Sequence, residues 1–188
     1  IYTDILRGLA RQEAKRLKKS KKGVKKLKDE VEELRDHIFY FIKNLDEKSV
    51  RGSNFYIIIL GYLTDVVNSL DYMSKASYKH VNNNHRPLKF NQIKDLQEVS
   101  RSVENLLDDM EKLFHNKEFG QIAPIIGRKE EIFSGLSDKI QKQIARTRTE
   151  ESSPKNTTLY FSLLLETKDL VTALMNLLEE YQVSYKKQ

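Results

Sequence analysis

The sequence predicts an all-α protein: an antiparallel helical bundle of about five long helices with pseudo-repeated helical hairpins. Three observations carry that prediction. The chain holds no tryptophan, seven glycines, three prolines and 32% charged residues, a composition of helices rather than of a turn-rich β fold. Apolar residues recur at three- and four-residue steps over long stretches. The most apolar stretch, 54–79, also returns once. Sliding it by 104 positions sets Tyr56 on Tyr160, Leu60 on Leu164, Asp65 on Asp169, Val67 on Val171 and Leu70 on Leu174.

Length and composition bound the rest. A chain of 188 residues can bury a core without covalent staples. It has no cysteine, which excludes disulfides and thiolate metal sites. The mean hydropathy is −0.60 and the most apolar window, 55–63, is about half the length of a membrane span. The chain starts at Ile1 with no signal-peptide pattern, so it reads as an excised piece of a processed or longer protein.

In chain order, residues 1–28 form a basic, juxtamembrane-like helical segment and 29–188 the bundle. Within the bundle one hairpin covers 29–81, a linking helix 91–117 and a second hairpin 128–186. In the first helix Val24, Val31, Ile38 and Leu45 share one heptad position and Leu27, Leu34 and Phe41 the other, so this part packs along one stripe. Before Val24 the stripe turns polar and Gly23 interrupts it, which points to a frayed, separately docked or exposed N-terminal part. The helix ends near Leu45 in a polar turn, where Ser53 or Asn54 can cap the next one. The second helix, about 54–81, is apolar on most faces through its first half, as suits the centre of a bundle. The run HVNNNHRPLKFN closes it. Asn91 can cap the third helix, 92–116, and Gly120, Pro124 and Gly127 break the chain after it. The fourth helix starts at 125 or 128 and runs to about 147. The fifth opens at Ser153–Pro154, since proline is tolerated at a first helical position, and runs to about 185. The repeat extends to the outer helices, where Asp36, Ile38 and Ile42 fall on Asp138, Ile140 and Ile144 at an offset of 102.

Each hairpin thus offers acids on both helices: Glu32, Asp36 and Asp65 in one, Asp138, Glu166 and Asp169 in the other. Carboxylates on facing helices are what a bundle uses to hold hard cations, so these six are candidate ligands for a divalent or iron-type cluster. They read equally as polar edges of amphipathic helices, since Asp36 adjoins Arg35 and Asp169 follows Lys168. Gly61, inside an apolar helix, reads as a point of close helix contact. No zinc-hydrolase, nucleophile-elbow, P-loop or dinucleotide motif is present, so no enzyme is expected. The block from Lys15 to Lys28 holds most of the net charge of +6. Lys18, Lys19, Lys21, Lys22, Lys25 and Lys26 are its candidate contacts to an anionic membrane or other polyanion. A solvated helical face is the other reading. Without interleaved aromatics, nucleic acid is not expected.

The words VEELRDHIFYFIKNL, ILGYLTDVVNSLDYMSKAS and LLLETKDLVTALMNLLEEY resemble the PhoU-like helical-bundle family over roughly residues 30–185. They look most like the C-terminal cytoplasmic domain of bacterial Pit-type inorganic phosphate transporters. The resemblance implies a non-enzymatic domain that regulates or assists phosphate transport at the cytoplasmic face of the cell membrane. Its implied partner is the transmembrane part of the same transporter, with self-association into a homo-oligomer as a further arrangement. A stand-alone soluble PhoU-like regulator, or a helical protein-interaction scaffold, is the alternative. The family's acidic signature, E-x-x-x-D, is implied to gather metal. Here its spacing is kept by Glu32 with Asp36 and by Glu104 with Asp108, whereas Gly61 and Leu165 stand four before Asp65 and Asp169.

Overall fold

A computed structural model describes residues 1–46, 50–149 and 153–186. Every regular element among them is helical: α1 (Tyr2–Ala10), α2 (Ala14–Lys43), α3 (Val50–Asn82), α4 (Phe90–Asn116), α5 (Ile122–Ile126), α6 (Lys129–Thr149) and α7 (Pro154–Lys186). A 3-10 turn at Phe119–Gln121 precedes α5. The predicted polar turns at 44–54 and 147–156 fall partly on 47–49 and 150–152, outside the described residues.

The centre is α3 against α7, the most extensive helix contact in the chain. Near one end of the pair the Phe55 and Tyr181 rings meet at 5.1 Å between centroids. Further along, Ser69 of α3 faces Glu166 of α7 across one cleft, so the two helices run antiparallel. Leu163, Leu164, Val171, Met175 and Leu178 of α7 are fully buried, together with Met73 of α3. At about 25 cal/mol per Å² of apolar surface removed from water, such residues supply the main drive for folding. α2 lies along α3, α6 lies along α7, and α1 and α4 pack on each other beside them.

The N-terminal segment differs most from expectation. The helical break lies at Arg11–Glu13, not at Gly23, which sits inside α2. Gln12 takes a left-handed backbone, φ 56°, and the Glu13 N–H bonds back to the Gly8 carbonyl at 2.8 Å. This turns α1 back onto α2. A Cβ on Gly8 would lie 3.0 Å from Leu17 Cγ, so glycine is what lets the two helices close. Tyr2, Ile5, Leu6 and Leu9 of α1 join the same buried cluster as α7, and the Tyr2 hydroxyl meets the Thr167 hydroxyl at 2.9 Å. Residues 1–28 are therefore continuous with the bundle core rather than frayed or separately docked.

The predicted stripe beyond Val24 behaves in the opposite way. Leu34 and Phe41 are 40% and 50% exposed, and Phe39 and Tyr40 lie open beside them. The reason is topological. Past α1, among the described residues, the second half of α2 has α3 as its one extensive helix neighbour. Val31, Ile38 and Ile42 are only half-buried there. Heptad spacing showed that the helix has an apolar side, but not how much of that side is covered.

Smaller corrections concern helix ends. α3 begins at Val50, so Ser53 and Asn54 lie inside it rather than capping it. Asn91 is inside α4, whose start is held instead by the Gln92 side chain accepting the Lys89 N–H at 3.0 Å. Gly61 is exposed, with no atom within 4 Å of an added Cβ, so it makes no close helix contact. Pro154 opens α7 as predicted, and Thr157 donates its N–H to the Ser153 carbonyl at 3.0 Å.

Candidate functional site

Three polar regions stand out. The first contains the predicted acids of the central pair. Asp65, Asn68, Ser69 and Tyr72 of α3 face Glu166, Asp169, Thr172 and Asn176 of α7 across a cleft of about 520 Å³. Burial raises the Glu166 carboxyl above its ordinary range; the Ser69 hydrogen bond opposes this shift and the neighbouring Asp169 adds to it. A carboxyl whose folded pKa is raised binds more protons in the folded than in the unfolded state, so its contribution to stability falls as pH rises through that range. Glu166→Gln is accordingly expected to raise the melting temperature at about pH 7, with the difference from the parent vanishing near about pH 4. Melting curves at both pH values check this.

The other predicted ligands lie elsewhere. Glu32 and Asp36 are exposed on α2, Glu32 at a cleft shared with Asp71 and Lys75 of α3 and Asp36 3.9 Å from Arg35. Asp138 is exposed on α6 and paired with Lys142 at 2.6 Å, whose ammonium holds its carboxyl below the usual range. Among the described residues no group of three His, Cys, Asp or Glu side chains is disposed to hold a metal ion. This overturns the expected divalent or iron-type cluster. The physical reason is that the outer-helix acids lie outside the central cleft, with Asp36 beside Arg35 and Asp138 paired with Lys142.

The second region was not read from the sequence. Asp95 of α4, nearly buried, accepts hydrogen bonds from Arg146 of α6 at 2.7 Å and from the buried Tyr160 hydroxyl of α7 at 2.9 Å. Lys139 of α6, also nearly buried, pairs with Glu98 of α4 at 3.0 Å. Burial pushes the Tyr160 phenol well up, with the Asp95 charge reinforcing it. The Asp95–Arg146–Tyr160 group ties three helices together, while Glu98 and Lys139 line a neighbouring cleft of about 390 Å³. A signal did exist. The buried stripe Leu96, Val99, Val103 and Leu106 continues back through Gln92 and Asp95, placing a carboxylate on an apolar face.

The third region is the basic block, which folds as about the first four turns of α2. Leu17, Ser20 and Val24 bury one side of these turns, and the lysines fan over the other. Lys15, Lys18, Lys19 and Lys22 line a cleft of about 1060 Å³ at the α1–α2 corner. Lys18, Lys21, Lys22, Lys25 and Lys28 line another of about 600 Å³, together with Lys75, Asp71, Asp29 and Glu32. Of the predicted contacts, Lys21 is occupied by the Tyr78 ring, 4.4 Å from its centroid, and Lys26 is 3.5 Å from Glu30.

No family model, curated protein or solved structure matches this chain. Among the described residues, no helix is long and apolar enough to cross a membrane.

Proposed function

We propose that this chain is a PhoU-like regulatory or accessory domain of an inorganic phosphate transporter, without catalytic activity of its own. It would act at the cytoplasmic face by docking on the transporter's transmembrane part. The observation that carries the reading is the pairing of α3 with α7, each flanked by its own outer helix. Three of the apolar pairs related by the offset of 104, Leu60 with Leu164, Val67 with Val171 and Leu70 with Leu174, are buried in both copies, whereas Tyr56 is 45% exposed and Tyr160 fully buried. Asp65 and Asp169 both line the cleft where the two antiparallel helices face each other. On this reading the two hairpins are copies of one unit, and the cleft between α3 and α7 carries the equivalent acid from each copy. The step from this fold to phosphate transport is by analogy to the family and rests on the resemblance of the sequence words.

The sequence of the gene upstream of Ile1 tests the reading. Encoded transmembrane helices are expected; a start codon immediately before Ile1 would contradict it. One observation favours the second reading, a helical interaction module. The exposed Phe39, Tyr40, Phe41 and Tyr56 cluster at the α2–α3 end of the bundle, with Phe41 and Tyr56 rings 6.0 Å apart.

A further inference from the structure

We propose that the solvent face of the first three turns of α2 is a docking surface for an anionic lipid bilayer, made by Lys15, Lys18, Lys19, Lys22 and Lys25. This inference stands whether or not the chain serves a transporter.

The face follows from helix geometry. At 100° per residue, Leu17, Ser20 and Val24 point to the core, and these five lysines spread over the opposite side across about 17 Å of axis. Their charge is uncompensated. Among the described residues none of the five is within ion-pair distance of a carboxylate. Of the nearby acids, Asp4 and Glu13 pair with Arg16, Asp71 with Lys75 and Glu30 with Lys26, while Asp29 and Glu32 share a cleft with Lys18, Lys22 and Lys25 beyond ion-pair distance. Lys15 with Lys19, Lys18 with Lys22, and Lys22 with Lys25 are like charges three or four residues apart, an arrangement that opposes the helix. A negatively charged surface turns that repulsion into attraction.

The chemistry favours a lipid surface over nucleic acid. The face is all lysine, with no arginine fork for bidentate phosphate contacts. The nearest aromatic, Tyr78, lies under Lys21, which is outside the five. A straight helix anchored by a buried side presents its charges to a plane, where each adds through the surface potential and no registry with the target is needed. The α1–α2 corner, with Gly23 and Ala14 among the lysines, leaves room for headgroups between the ammonium groups.

Flotation of the 188-residue chain with vesicles tests the proposal. Vesicles of phosphatidylcholine alone are compared with equimolar phosphatidylcholine–phosphatidylglycerol. Binding is expected only to the anionic vesicles and is expected to weaken as salt is raised. Lys18→Gln, Lys19→Gln and Lys22→Gln combined should lower partitioning about a hundredfold, at about fivefold per lysine. The matching triple arginine variant should retain it. Removing the same charge elsewhere, with Lys43→Gln, Lys79→Gln and Lys94→Gln, should cost far less, and circular dichroism confirms that each variant is folded. Equal binding to both vesicles, no binding to either, or an unchanged glutamine variant would overturn the proposal. So would single-stranded RNA that displaces the chain from anionic vesicles at matched phosphate concentration, which would reassign the face to nucleic acid.

Discussion

Asp95→Ala is expected to destabilise the chain by about 3 kcal/mol, the cost of leaving a largely buried cation without its partner. Arg146 is 21% exposed and Asp95 10% exposed, so little water reaches either group. Losing the carboxylate strands the Arg146 guanidinium and removes the acceptor for the Tyr160 hydroxyl. For a chain of this size the melting temperature should fall by about 10 °C. Two companion variants separate the causes. Tyr160→Phe removes one neutral donor to a charged acceptor and should cost about 2 kcal/mol. Asp95→Ala combined with Arg146→Met removes both charges and should be less damaging than Asp95→Ala alone. Thermal and urea unfolding of the four proteins checks the order. A double variant at least as unstable as Asp95→Ala alone would mean that losing the carboxylate does not strand the guanidinium.

Leu9→Ala should cost about 3 kcal/mol, whereas Phe41→Ala should cost less than about 1 kcal/mol. Leu9 is fully buried on α1, in one cluster with α7 residues, and truncating it leaves a cavity that the surrounding helices cannot fill. Phe41 is half exposed and keeps a single ring contact, to Tyr56. The heptad pattern alone predicts the reverse order, so urea unfolding of the two variants separates the burial seen in the structure from the periodicity of the sequence. Equal destabilisation by both would contradict the placement of α1.

That contrast shows where the sequence was informative. The five long helices were legible because apolar spacing and punctuation agree: Asn82 to Asn84 end α3, and Ser153 with Pro154 starts α7. The centrality of α3 and α7 was legible because both are apolar on most faces, which only a buried helix tolerates. The α1–α2 break was not legible. It rests on Gln12 in a left-handed conformation and on Gly8 at the closure, and a lone glutamine carries no turn signal. The exposure of Phe39 to Phe41 was hidden because periodicity reports the direction of an apolar face, not the presence of a neighbour. At the candidate site, Asp65, Glu166 and Asp169 line one cleft, because they lie at the middle of two paired helices, without forming a metal-binding group among the described residues. Asp36 and Asp138 do not join them, because one- or two-residue differences in helical phase turn an outer-helix acid from cleft to solvent. The Asp95–Arg146–Tyr160 group spans separations of 51 and 65 residues, which no local pattern encodes.

Phosphate uptake by the full-length gene product, with and without residues 1–188, tests the functional account most directly. Expressed in cells lacking their own phosphate uptake, the intact protein is expected to take up labelled phosphate. The shortened protein is expected to reach the membrane in equal amount but to take up phosphate with an altered rate or an altered response to external phosphate. Uptake identical in rate and response, or no uptake by the intact protein, would contradict the account.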